Sequence, residues 1–178
     1  MRRWLALVLL LPLCAPAFAG RRDPLTEAEV DQMREMAQDG SKRLKLLLTF
    51  AKARMLAIQE LRSDPKFAEG RGQRVHDLLE DFAAIVVELD RNIDQYAGQH
   101  QDIRKPLKEV VEANAQFELQ LRALKDAAAQ PESASEAKDW RYVLEDAVDA
   151  VDSNGDNARA TLEEQNQLAK DKKLVKPQ

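Results

Sequence analysis

Residues 75–96 read VHDLLEDFAAIVVELDRNIDQY, and the fold follows from how their apolar members are spaced. Val75, Leu78, Leu79, Phe82, Ile85, Val86, Leu89, Ile93 and Tyr96 keep to one face of a chain that turns every 3.6 residues, and nowhere do they alternate as a half-buried strand requires. The spacing predicts an amphipathic rod of about 35 Å. It has to bury its stripe against partners of the same kind.

Those partners lie on either side. Towards the C-terminus, Ile103, Leu107, Val110, Asn114, Phe117, Leu121, Leu124 and Ala128 alternate steps of four and three, with Pro106 near the start, where its missing amide does little harm. Asn114 is the one polar residue in that seam, and such an Asn more often fixes register than binds a ligand. Towards the N-terminus, residues 41–63 carry Leu44, Leu47, Leu48, Ala51, Met55 and Ile58 on one face and Leu46, Phe50, Ala57 and Leu61 on the next. That helix is broadly apolar and expected to be central. Asp64-Pro65 stops it, because a residue before proline resists helical geometry.

A short helix leads the set. In Leu25-Thr26-Glu27-Ala28-Glu29-Val30, Thr26 can cap the amide of Glu29, Glu29 can return the bond, and Leu25 can staple to Val30. Its apolar residues Val30, Met33, Met36 and Ala37 are few, and Gly40 is read as its end. The two methionines are read as core filler rather than a soft-metal site. The last helix starts after Pro131 with a second capping box at Ser133 and Glu136, and its stripe of Trp140, Leu144, Ala147 and Val151 continues in phase through Asn154, Ala158, Leu162, Gln165 and Ala169. The phase carries across Gly155, so one long helix is expected, with its C-terminal third exposed or frayed.

The expected fold is therefore all-α, an up-down bundle of about four long amphipathic helices with a short leading one, occupying 26–169 as a single domain after a linker at 20–25. A Lys-rich tail at 170–178 is expected to be disordered. Residues 41–62 hold Lys42, Arg43, Lys45, Lys52, Arg54 and Arg62 against Glu60 alone, and residues 75–94 hold Asp77, Glu80, Asp81, Glu88, Asp90 and Asp94 against Arg91 alone. Antiparallel packing would set Arg43 and Lys45 beside Asp90 and Asp94.

Residues 1–19 have a different character. Met1-Arg2-Arg3 is basic, Trp4 to Leu13 is an almost unbroken apolar run, and Ala17-Phe18-Ala19 offers the small residues a signal peptidase reads, so cleavage before Gly20 and export to a bacterial periplasm or beyond are expected. The run falls short of the ~20 residues that span a bilayer, so no transmembrane anchor is expected in the mature chain. Without residues 1–19 the chain has 178 − 19 = 159 residues, 25 basic and 31 acidic side chains, and no cysteine, since Cys14 is the only one. A disulfide-free exported domain must be held by its core.

The acidic balance, 27 Lys and Arg against 31 Asp and Glu over the whole chain, argues against a binder of nucleic acid held by phosphate neutralisation. His76 and His100 are the only histidines and belong to no Glu-x-x-His or Cys-x-x-Cys-His motif. There is no Gly-x-Ser-x-Gly elbow and no glycine-rich phosphate loop. No catalytic, cofactor or metal residue is assigned from the sequence, no cofactor is expected, and the chain is not read as an enzyme.

Two short resemblances complete the reading. Asp152-Ser153-Asn154-Gly155-Asp156-Asn157 with Glu163 resembles an EF-hand loop, with oxygen side chains at positions 1, 3, 5 and 12, although Asn157 stands at the glycine position; this implies a calcium site. Leu25-Thr26-Glu27-Ala28-Glu29 resembles the Leu-Thr-x-x-Gln motif of small periplasmic helical stress chaperones, with Glu in the last position. That resemblance implies a chaperone-like hold on unfolded or envelope clients. The leading expectation is an exported, non-catalytic helical bundle that works through protein contacts as a scaffold, adaptor or assembly subunit, with an unidentified protein partner or a second copy of itself. Its contact surface is expected on the apolar margin of the second helix or along the charged last helix.

Overall fold

A computed structural model describes residues 22–131 and 133–174. The predicted leader, Gly20 and Arg21, and the last four residues lie outside this range. The described residues form five α-helices and no strand: α1 (Glu27–Glu35), α2 (Gly40–Ser63), α3 (Arg71–Gly98), α4 (Arg104–Ala128) and α5 (Ala134–Leu174), with a single 3-10 turn at Pro65–Phe67. None of these helices is long and apolar enough to cross a membrane.

Local chemistry sets the boundaries. Thr26 Oγ1 accepts from the Glu29 amide at 3.3 Å and Glu29 Oε2 accepts from the Thr26 amide at 2.8 Å, so the capping box closes in both directions. α1 stops at Glu35, ahead of Gly40, because Gly40 has another use. It is the first residue of α2, capped by Asp39, whose side chain accepts from the Lys42 amide at 3.0 Å. Gly40 is buried against α3, and a Cβ there would come within 2.5 Å of Tyr96 Cγ. The glycine read from the sequence as a helix stop is a point of close helix approach. At the end of α3 the His100 amide bonds Ala97 O and the Gln101 amide bonds Tyr96 O, which places His100 in the left-handed region at φ 59°.

The predicted stripes form the core. Of the α3 stripe only Leu78 is left partly exposed, and of the α4 stripe only Ala128. Phe82 and Phe117 meet edge to face at the centre, centroids 5.0 Å apart and planes at 82°, a contact worth about 0.5–1.5 kcal/mol beyond its area. α5 is one continuous helix through Gly155, and the stripe from Trp140 to Ala158 is buried. It remains helical to Leu174, so residues 170–174 belong to α5 rather than to an unstructured tail. Gln165, in the stretch expected to fray, accepts from the Ile103 amide at 3.1 Å and donates to Gln101 O at 2.9 Å, tying α5 to the connection between α3 and α4.

The long helices alternate in direction but are not arranged around the bundle in chain order. α3 packs on α2 and α5, and α4 packs on α5 and, less extensively, on α2. The order around the bundle is α2, α3, α5, α4, so the connection after α3 crosses a diagonal. Contacts fix the senses. Arg43 with Asn92 and Arg54 with Asp81 make α2 and α3 antiparallel, whereas Arg71 with Glu136 and Asp94 with Asn157 make α3 and α5 parallel. The basic-to-acidic pairing of α2 with α3 holds as a pairing of helices, but its partners differ from those expected. Arg43 reaches Asn92 at 2.8 Å and Glu88 at 3.8 Å, and Lys45 turns to Glu109 of α4 at 2.7 Å. Asp90 and Asp94 face α5 instead.

Candidate protein-contact site

The residues singled out for chemistry do not converge. His76 sits next to Asp77 near the start of α3, 3.4 Å away, and exposed His100 lies just past the opposite end, some 24 residues or about 36 Å along the rod. Met33 is buried under α1 and Met36 half-buried in the turn that follows. The EF-hand resemblance is overturned by the backbone. Asp152 to Glu163 is helical throughout, and residues two apart on a helix point about 200° apart. Asp152 and Asp156 face solvent while Asn154 points into the core with no exposed surface. Their oxygens cannot close around one ion in this conformation.

Asn154 has a different task. Its Oδ1 accepts from Asn114 Nδ2 at 2.8 Å, and its Nδ2 donates to Asp90 at 3.3 Å. Asp90 also accepts from Asn157 at 2.8 Å, and Asn157 donates on to Asp94 at 2.8 Å. This polar ladder runs from the centre of the bundle to its surface and joins α4, α5 and α3. The sequence shows Asn114 and Asn154 because they interrupt apolar stripes. It does not show Asn92, which is buried and held by Glu88 O at 2.7 Å while accepting from Arg43, since Ile93 next to it already continues the apolar stripe and charged Arg91 precedes it.

A second polar cluster fastens the N-terminal segment. Arg54 places both terminal nitrogens on Glu29 at 2.8 and 2.6 Å and also donates to Pro24 O at 2.9 Å. Asp81 lies 3.8 Å from Arg54 and 2.7 Å from Arg22. The Arg54 and Glu29 side chains keep only 12% and 13% of their exposure, so water screens this pair less than a surface pair. The hydrogen bond from Arg54 holds the Glu29 carboxyl below the ordinary carboxylate range, and Glu29 in turn holds Arg54 more firmly protonated. Within the stretch read as a linker, Pro24 is thus pinned to α2 and Arg22 to α3.

The outward seam between α4 and α5 forms an open groove. Two adjoining hollows of about 240 and 330 Å³ share Lys125 and Val148. The floor is apolar, with Leu121, Leu144, Val148 and Val151, and the rim carries both signs of charge, Arg122, Lys125 and Arg141 against Glu118, Glu145 and Asp152. The groove follows α5 from Arg141 to Asp152, about 16 Å at the helical rise. An apolar floor with a mixed charged rim suits the apolar stripe of another helix. Among the described residues no three His, Cys, Asp or Glu side chains are grouped so as to hold a metal ion. No family model, no curated protein and no solved structure matches this chain.

Proposed function

We propose that the protein is an exported, non-catalytic helical bundle that acts through protein–protein contacts, as a scaffold, adaptor or assembly subunit, with the α4–α5 groove as its open contact surface. The observation that carries this reading is the groove itself, an apolar floor with a rim of mixed charge between α4 and α5. Export rests on the basic start, apolar run and small-residue site of residues 1–19. The interior polar groups support the same reading: Asn114, Asn154 and Asp90 bond to one another across helices, an arrangement that fixes register and leaves their side chains engaged.

Site-specific photo-cross-linking in the native envelope tests this. A photoreactive residue at Lys125, on the rim of both hollows, is expected to yield one or a few discrete protein adducts, while the same group at exposed Lys52 on α2 yields none. A diffuse spread of adducts from both positions would favour the chaperone-like hold on many clients. No adduct from Lys125 would contradict the groove as a contact surface.

A further inference from the structure

α1 is attached to the bundle unlike any other helix. It touches α2 less than any neighbouring pair of long helices touch each other, and it buries only Met33. Nine residues is below the ~12–15 at which an isolated helix becomes even marginal in water, so α1 depends on what lies beneath it. Beneath it is a groove between α2 and α3 in which a cleft of about 390 Å³ remains, reaching Leu25, Val30 and Met33 above and Leu47 and Ile85 below. Leu47 and Ile85 are at most 1% exposed and would face water if α1 left.

The fastening is polar and sits at both ends. Arg54 grips Glu29 at the start of α1, and Arg43 donates to Met33 O at 3.0 Å near its end. Leu25, Glu29 and Met33 are spaced four apart: an apolar anchor, a carboxylate for the Arg54 fork and a second apolar anchor. The balance of charge also favours this contact: α1 carries Glu27, Glu29, Asp31 and Glu35 against Arg34 alone, while the α2 and α3 side presents Arg43, Arg54 and Arg91 against Asp81 and Glu88.

We propose that the α2–α3 groove is a docking site for an acidic amphipathic helix of a partner protein, and that α1 is its intramolecular occupant. The partner helix carries a carboxylate for Arg54 and apolar residues one turn to either side of it, and it binds when α1 lifts. The proposal rests on the protein-contact reading and adds to it a covered surface, separate from the α4–α5 groove.

The probe is a fluorescein-labelled peptide of residues 22–38, titrated by fluorescence anisotropy against the full-length processed chain. In the native chain α1 competes from within the molecule at an effective concentration of ~1 mM, so binding is expected to be weak. A chain carrying Glu29→Gln and Met33→Ala, with α1 loosened, is expected to bind the peptide at least tenfold more tightly, and a peptide carrying Glu29→Lys is expected not to bind. Equal affinity for native and loosened chains, or no binding to a loosened chain that still melts cooperatively, would overturn the proposal. Dimerisation of the loosened chain without peptide uptake would overturn it too, in favour of a second copy as occupant. If the double variant loses its cooperative melt, the titration on Met33→Ala alone, which keeps the Arg54 fork, decides in the same way. Because the peptide assay does not involve Lys125, its failure is distinguishable from failure of the contact reading.

Discussion

Asn114 shows what a single residue does in this bundle. It has no exposed surface, and its amide nitrogen reaches Asn154 while its Oδ1 has no hydrogen-bond partner among the described residues. Replacing Asn114 by Leu strands Asn154 Oδ1 in the core, and a buried acceptor left unpaired costs about 1–3 kcal/mol. Replacing both Asn114 and Asn154 by Leu removes donor and acceptor together, so the double substitution is expected to cost less than the sum of the two single ones. Urea unfolding of the four chains measures this directly; strict additivity would mean the pair does not interact. Asn114 was legible in the sequence because it breaks a stripe. The partners of Asp90 and Asp94 were not, because counting charges along two helices favours the oppositely charged helix, whereas a carboxylate on a parallel neighbour's flank is equally satisfied by the amides of Asn154 and Asn157. Lys45 diverged for the same reason, since Glu109 on α4 lay within its reach.

At the scale of the element, periodicity is the strong signal and the meaning of a glycine the weak one. The stripes of α3, α4 and α5 name the buried residues almost one for one, because a 3.6-residue period leaves a helix only one way to face a core. Gly40 went the other way: the same residue serves a helix end or a close approach, and only Tyr96 across from it decides which. The leading helix was legible through Thr26 and Glu29, but the second duty of Glu29 was not, since nothing local in the sequence places Arg54 against it. That duty gives α1 an acid dependence. Arg54 holds Glu29 as a carboxylate with its value lowered from the ordinary one of about 4.3, so its contribution is complete above that value and is lost as pH falls through the lowered one. Hydrogen-exchange protection of the α1 amides is expected to decline as pH falls below the ordinary carboxylate range, while that of α3 persists. In Arg54→Ala, α1 is expected to be poorly protected already at neutral pH, with no further acid step. Protection that is unchanged in that variant would mean the pair does not hold α1.

At the scale of the molecule, the sequence specifies faces but not neighbours. Each stripe says which side of a helix is buried, and four such helices satisfy their stripes in more than one order around a common axis. The short connections suggest that consecutive helices lie side by side. Instead, the link after α3 crosses the bundle, α3 lies parallel to α5, and the Asn114–Asn154–Asp90 ladder joins helices that chain order would have separated differently. The two contact surfaces lie between helices that are neighbours in this order, α4 beside α5 for the open groove and α2 beside α3 for the covered one. The most direct test uses the absence of cysteine from the chain that follows the predicted leader. Cysteines introduced in pairs at Asp94 and Asn157, and at Lys45 and Glu109, whose native side chains meet at their tips, are expected to be closed rapidly by a short bifunctional thiol cross-linker, whereas a pair at Lys45 and Asp94 is not. Rapid closure of the Lys45–Asp94 pair, with the other two open, would contradict the order of helices on which the account stands.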